Sequence, residues 1–238
     1  MSLPTALLVS AALTSALPPA AVAQLVEQPH RYSHQFISGQ EAAISGLVLF
    51  ATAFGDEGLQ EEVQDIRSSG TNSLAHVGNT IGSPFFVFPA IGVGYLAGRL
   101  THSPSLTRLS VRAGTTVVVA SGITTALKYS IGRTRPFHGG DSDQFHPFSG
   151  STSFPSGHTT LAFALATVIA DETKDSWSDV ALYSAAALTG FARMNDDRHW
   201  ASDVLAGALI GHLTARWVDR RGGLLNVGPR SVGLSLEF

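Results

Sequence analysis

The chain has 238 residues, a formal net charge of -3 and no cysteine, with 44% apolar and only 14% charged residues. An average soluble protein carries roughly 25% charged residues, so this composition argues against disorder and for a densely helical or membrane-associated fold. The weakly acidic balance gives no electrostatic reason to bind nucleic acid, and the missing cysteine excludes disulfides, thiolate metal sites and a thiol nucleophile.

Residues 1–23 read as a signal peptide. An apolar stretch is followed by Ala21-Val22-Ala23, a small-x-small cleavage pattern before Gln24, although a basic segment ahead of it is missing. Pro18 and Pro19 argue against the alternative, an uncleaved spanning helix. Residues 24–40 form a polar tail, and a helical domain is expected over 41–221. Within it, Ala42 to Phe54 is a short apolar helix. The acidic run from Asp56 to Gly70 carries Leu59, Val63 and Ile66 at helical spacing, which predicts an amphipathic helix with a solvated face. No charge falls between Arg67 and Arg99; the apolar stretch there is interrupted by Pro89 and several glycines.

Further helices are expected over Ala113–Leu127, Leu161–Ala170, Val180–Ala192 and Val204–Ala215, giving an all-α bundle of about six helices. Most apolar runs reach roughly 10 to 15 residues, short of the about 20 that a membrane span needs. Embedding in a membrane and a soluble helical core therefore both stay open. Residues 222–238 form a tail in which Val232, Leu234, Leu236 and Phe238 alternate with small or polar residues, the period of a short strand or hairpin.

Three polar clusters adjoin the apolar helices. Lys128 closes one helix, and Arg135-Pro136 follows seven residues later. Gly132 and Pro136 favour a helix end between the two cations, with Arg135 extended on a loop. In "FPSGHTT", Ser156 as N-cap puts Gly157 and His158 in the first turn, where free N–H groups and the helix dipole suit an anion. In "ARMNDDRHWASDVLAG", Arg193 ends a helix, and His199 precedes or opens the next with Asp203 four residues on. A carboxylate at that spacing can hold one imidazole nitrogen and leave the other free as a nucleophile. Taken singly, each cluster has an ordinary structural explanation. Together they supply three cations, a helix N-terminus and two histidines. That set suits a phosphoryl group whose charge spreads over its equatorial oxygens. One histidine can attack phosphorus and the other protonate the leaving oxygen. No set of residues at metal-ligand spacing stands out.

Lys128-x6-Arg135-Pro136, Pro155-Ser156-Gly157-His158 and Arg193-x5-His199-x3-Asp203 resemble, in order and spacing, the three-part signature of the type 2 phosphatidic acid phosphatase family, which groups with bacterial acid phosphatases and vanadium haloperoxidases. The resemblance covers Lys128 to Asp203; Ala192 departs from the serine often found before the arginine. It implies a helical bundle and phosphomonoester hydrolysis without metal or cofactor. His199 would be the nucleophile, oriented by Asp203, and His158 the proton donor. Lys128, Arg135, Ser156, Gly157 and Arg193 would hold the phosphate. The implied partner is a phosphorylated lipid such as phosphatidate, phosphatidylglycerol phosphate, a polyprenyl diphosphate or a lipid A phosphate, handled with membrane association in the bacterial cell envelope and the site facing the periplasm. The alternatives are a soluble periplasmic acid phosphatase acting on small phosphomonoesters, a vanadate-dependent haloperoxidase and a non-catalytic binding module. The loop carrying His138, Asp141, Asp143 and His146 either lines the entrance to the site or is simply solvated. His30, His34, His76, His102 and His212 carry no functional reading.

Overall fold

The computed structural model describes residues 39–221, 225–227 and 232–234. The expected signal peptide and all but the last two residues of the polar tail lie outside the described residues. Eight α-helices occur among the described residues: α1 (Gly39–Phe54), α2 (Asp56–Asp65), α3 (Ser69–Ile81), α4 (Pro84–Leu100), α5 (Pro104–Ile131), α6 (Gly157–Thr173), α7 (Ser176–Asn195) and α8 (Ala201–Arg220). Leu225–Val227 (β1) pairs antiparallel with Val232–Leu234 (β2).

The fold is all-α, as composition and periodicity suggest, but the helix boundaries differ from the sequence reading in three instructive ways. Helix α3 fills a stretch for most of which the sequence predicts no helix. Its start is set by Ser68, whose hydroxyl accepts from Thr71 N–H while Thr71 Oγ1 accepts from Ser68 N–H, a reciprocal cap. Helix α4 runs through Pro89 instead of breaking there. Pro89 removes only the bond that would reach Phe85, on a first turn that is open to solvent. Helix α5 extends nine residues ahead of its predicted start because Ser103 caps it, Pro104 fits its first turn, and Arg112 is neutralised by Asp171 and Asp219.

Helices α5, α6, α7 and α8 pack around one another, with the most extensive contact between α6 and α8. The core is built from small side chains. Val87, Val117, Leu161 and Ala164 form one cluster; Ala113, Val168 and Ala215 form a second; Ala162, Ala166 and Ala186 form a third. Small residues let the helix backbones approach closely. The tightest approach is at Gly207 and Gly211 of α8, where a Cβ would overlap the carbonyl oxygens of Ser156 and Thr160 on α6. This contact fixes the start of α6 against the start of α8, where two of the three polar clusters sit.

Helix α4 buries Val87 but leaves Phe85, Phe86, Phe88, Val93, Leu96 and Leu100 exposed, and neighbouring α3 exposes Leu74 and Val77. So large an apolar surface marks an interaction site. Among the described residues no single helix is long and apolar enough to cross a membrane; α3 and α4 meet that test only together, bent by 47° at their junction.

The close α6–α8 approach makes a contrast between glycines. Gly211→Val is expected to destabilise the fold by about 1–3 kcal/mol through overpacking. Gly122→Ala, on α5 with nothing within 4 Å of the added methyl group, is expected to stabilise it by roughly 0.5–1 kcal/mol. Denaturant titration of the two variants against the parent chain reads both signs.

Candidate active site

Lys128 lies in the last turn of α5, which Gly132 closes with φ 62. A side chain at Gly132 would collide with the His146 carbonyl, so glycine serves both the left-handed cap and the close return of the loop. The chain then runs extended through Arg135, at φ -85 and ψ 153. Pro136 biases its predecessor to this region. The two cations therefore come from a helix end and a loop, as the glycine and proline predict. Both turn to the same place: Lys128 Nζ donates to the carbonyls of Thr152 at 2.6 Å and Ser153 at 3.2 Å. Arg135 Nη2 donates to Thr152 O at 3.4 Å and to Thr152 Oγ1 at 3.3 Å.

Ser156 is the N-cap residue of α6, as expected, but its side chain does not cap the helix. Its N–H donates to Asp203 O at 2.9 Å, and its Oγ accepts from Thr159 Oγ1 at 2.9 Å. The first-turn N–H groups are thus left without a side-chain acceptor, and the Ser156 hydroxyl keeps its own proton to donate. A Cβ on Gly157 would stand 3.8 Å from Lys128 Cε, so this bare backbone faces the lysine.

His199 precedes α8 and is buried, and Asp203 lies in its first turn. The two meet with Nδ1 3.4 Å from Oδ2. The same Oδ2 accepts from Trp200 N–H at 3.0 Å and from the Ser153 hydroxyl. Arg193, in the last turn of α7, donates from Nη1 to Asn79 Oδ1 at 2.7 Å, and Asn79 in turn donates to Asp196. Arg193 Nε is buried with no partner among the described residues.

These groups share one electrostatic field. Burial, reinforced by Arg193, Lys128 and Arg135, lowers the His158 pKa to about 4. Burial and Arg135 lower that of Lys128 to about 7. Burial brings His199 down to about 3 although Asp203 pulls the other way. For Asp203, burial opposes ionisation, but His199, Arg133 and Ser153 together hold it below the usual carboxylate range. The pair is therefore a neutral imidazole beside a carboxylate, with Nε2 not engaged by Asp203. The structure thus connects all eight residues singled out in the sequence, by hydrogen bond, contact or mutual charge.

Four residues that sequence reasoning passed over complete the arrangement. Arg133 is buried and donates to Asp203 Oδ1, Ser202 Oγ and Asp56 Oδ2, each at 2.7 Å. Asp56, expected on a solvated face, is fully buried and also accepts from Ser202 N–H at 2.7 Å. The helical spacing of Leu59, Val63 and Ile66 is silent on where the first residue of the helix points. Ser153 holds Asp203, and Asn79 holds Arg193. Arg133 carried one signal, its place inside the first motif; the other three carried none.

The loop residues divide. His138 lines a cavity of about 420 Å³ together with Arg135, Phe137 and residues 149–152. The segment 141–146 instead packs on Arg133, which donates to Ser142 O at 2.8 Å, and Asp141, Asp143 and His146 do not line the cavity. Among the described residues no cluster of His, Asp and Glu is arranged to hold a metal ion.

Arg133→Ala leaves two buried carboxylates short of their cation and is expected to destabilise the fold by about 3–5 kcal/mol. Arg216→Ala, which removes a partly exposed pair with Asp171, is expected to cost under about 1 kcal/mol. Denaturant titration distinguishes them. A second expectation concerns pH. The Lys128 ammonium is present below about pH 7 and is lost above it. A bound dianion favours the ammonium, so the share of the affinity that Lys128 supplies is full below that pH and declines as pH rises through it. Sulfate, which stays dianionic throughout, is expected to bind progressively more weakly from pH 7 upward, by up to roughly tenfold per pH unit, as read by calorimetry.

Residues 109–221 match the family model described as the PAP2 superfamily. The chain is 40% identical over 133 residues to the lipid A 1-phosphatase of Porphyromonas gingivalis, covering 54% of this chain and 27% of that protein. It is 36% identical over 127 residues to the lipid A 1-phosphatase of Rhizobium etli, covering 48% of this chain and 53% of that one. The matches thus span about half or less of the length of these curated relatives. Two solved structures share the fold. Aquifex aeolicus LpxE aligns with a TM-score of 0.50 at 21% identity, covering 68% of this chain and 92% of that chain. The PAP2 type phosphatidylglycerolphosphate phosphatase of Bacillus subtilis aligns at 0.54 and 20% identity, covering 76% and 94%.

Proposed function

From the premise that residues 109–221 are a PAP2 superfamily domain, we propose that this chain is a metal-independent phosphomonoesterase acting on a phosphorylated lipid through a phosphohistidine intermediate. The observation that carries the reading is the buried His199–Asp203 pair set among Lys128, Arg135 and Arg193. A neutral imidazole held at Nδ1 by a carboxylate presents Nε2 as a nucleophile. The three cations and the free N–H groups at the start of α6 hold the non-bridging oxygens.

In the first step Nε2 of His199 bonds to phosphorus and the bond to the leaving alcohol breaks. Asp203 stabilises the imidazolium that forms. His158 gives its proton to the alkoxide oxygen. In the free protein burial, reinforced by three cations, keeps His158 neutral at ordinary pH. A phosphate dianion bound among them reverses that field and restores the proton, so the acid is armed by its substrate. In the second step His158 takes a proton from water, whose oxygen attacks phosphorus, and the P–N bond breaks to release phosphate. Ser156 contributes through its hydroxyl and Gly157 through its exposed N–H. Arg193 contributes the buried Nε that has no partner among the described residues.

The lipid assignment draws on the lipid A 1-phosphatase relatives and on the exposed apolar surface of α3 and α4, which gives the protein a means of sitting against a bilayer. The signal-like N-terminus supports export, with the site on the periplasmic side of the bacterial envelope. Candidate substrates are lipid A 1-phosphate, phosphatidylglycerol phosphate, phosphatidate and polyprenyl diphosphate.

His199→Ala is expected to lower kcat by at least about 10⁴-fold. Acid quench of the parent chain with ³²P-labelled substrate is expected to trap label on His199. Near-normal turnover in the variant, or a burst without trapped label, would overturn the covalent mechanism.

A further inference from the structure

We propose that the cavity beside the phosphate cradle is the subsite for the leaving alcohol, and that Phe137 and Arg198 make it select an oxygen-rich headgroup, of glycosyl or glycerol type, over a diacylglycerol. This rests on the phosphatase reading above and extends it to the other side of the scissile bond.

The cavity, about 420 Å³ in volume, shares Arg135 and Thr152 with the cradle. The Thr152 carbonyl accepts from both Lys128 and Arg135. An ester held by these two cations therefore lies against the cavity wall. That volume is at the small end of ligand pockets, enough for a sugar ring or a glycerol diester.

The walls are of two kinds. Residues 149–152 offer hydroxyls and backbone amides, and Gly150, at φ 84, has open space where a Cβ would stand. Opposite kinds of surface meet at Phe137, whose ring centroid is 4.1 Å from that of His138 and 4.9 Å from the Arg198 guanidinium carbon lying over it. A flat ring flanked by polar groups matches an alcohol that has a C–H face and several oxygens. Acyl chains placed there would leave the amides and hydroxyls without water or partners.

Arg198 is the selective element. It is exposed and, among the described residues, has no carboxylate within 4.0 Å, although Asp196 and Asp197 precede it. Both of those carboxylates are turned to other partners: Asp196 accepts from Asn79 and Asp197 from Gln60, each at 2.7 Å. The guanidinium is thus held by the Phe137 ring with its donors uncommitted. Its charge reaches Arg135 and Arg193, lowering the proton affinity of both. A planar fork with free N–H groups binds hydroxyl or phosphodiester oxygens.

The test compares kcat/KM of the full chain for lipid A 1-phosphate, phosphatidylglycerol phosphate and phosphatidate in mixed micelles, with Arg198→Gln and Phe137→Leu. Both side chains are exposed, so the variants keep the core intact; circular dichroism checks this. The ratio of a headgroup ester to phosphatidate is expected to fall at least about tenfold in each variant. A fall confined to lipid A 1-phosphate assigns a glycosyl headgroup, and one confined to phosphatidylglycerol phosphate a glycerol headgroup. Unchanged ratios, with the parent chain active, overturn the subsite and leave the phosphatase reading standing. A parent chain inactive on all three esters and on p-nitrophenyl phosphate overturns both.

Discussion

The carboxylate of Asp203 is the point on which the rest of the site hangs. One oxygen meets His199, Trp200 N–H and the Ser153 hydroxyl; the other meets Arg133. Its backbone carbonyl takes the N–H of Ser156. A single residue therefore fixes the nucleophile candidate, the start of α8, the approach to α6 and the loop after α5. Burying a carboxylate is costly unless it is paired and fully hydrogen-bonded, and here each demand is met by a different segment. That dependence is mutual: no one of these segments holds its position without the ion the others neutralise. The extension through Arg133 to Asp56 carries the same tie to α2, so the N-terminal acidic helix is part of the support of the site and not an appendage.

The other side of the site has the opposite electrostatic character. Lys128, Arg135 and Arg193 press on one another and on His158, Lys128 and Arg135 press on His199, and Arg198 presses on Arg135 and Arg193, while Asp203 is already committed to Arg133. Each cation is held by carbonyls, an amide or an aromatic ring instead of a carboxylate. Such groups orient a cation without neutralising it. The empty cradle is consequently a concentration of positive charge that lowers its own proton affinity, and a tetrahedral dianion is the group that relieves it. Preorganisation of this kind costs stability in the free protein and is recovered when the anion binds.

Legibility in the sequence followed the physics of each residue. Motif residues act through a local backbone feature: a helix end at Gly132, an extended Arg135 before Pro136, a first turn at Gly157, a four-residue step from His199 to Asp203. Those features are written in neighbouring letters, and the structure reproduces them. Asp56, Ser153 and Asn79 act through contacts with residues dozens of positions away, and no local pattern marks them. Asp56 is the clearest case, because its acidic helix has the spacing of a wet surface and yet turns Asp56 and Gln60 inward. The cap on α3 was legible in principle, since Ser68 and Thr71 have the right spacing, but Leu74 and Val77 face outward and so mark no core-facing stripe.

The bend between α3 and α4 connects the two functional faces of the molecule. A Cβ at Gly82, in that bend, would overlap the His158 carbonyl, so the bend rests directly on the first turn of α6. Three residues earlier Asn79 holds Arg193, and Thr189 of α7 donates to the Gly78 carbonyl at 2.8 Å. The end of α3 is thus built into the wall of the anion site, while the same helix pair presents Leu74, Val77, Phe85 and Phe86 outward. In the lipid-phosphatase reading this joins recognition to chemistry. The exposed apolar surface and the residues that contact Arg193 and the His158 carbonyl belong to one corner, where the two helices turn by 47°.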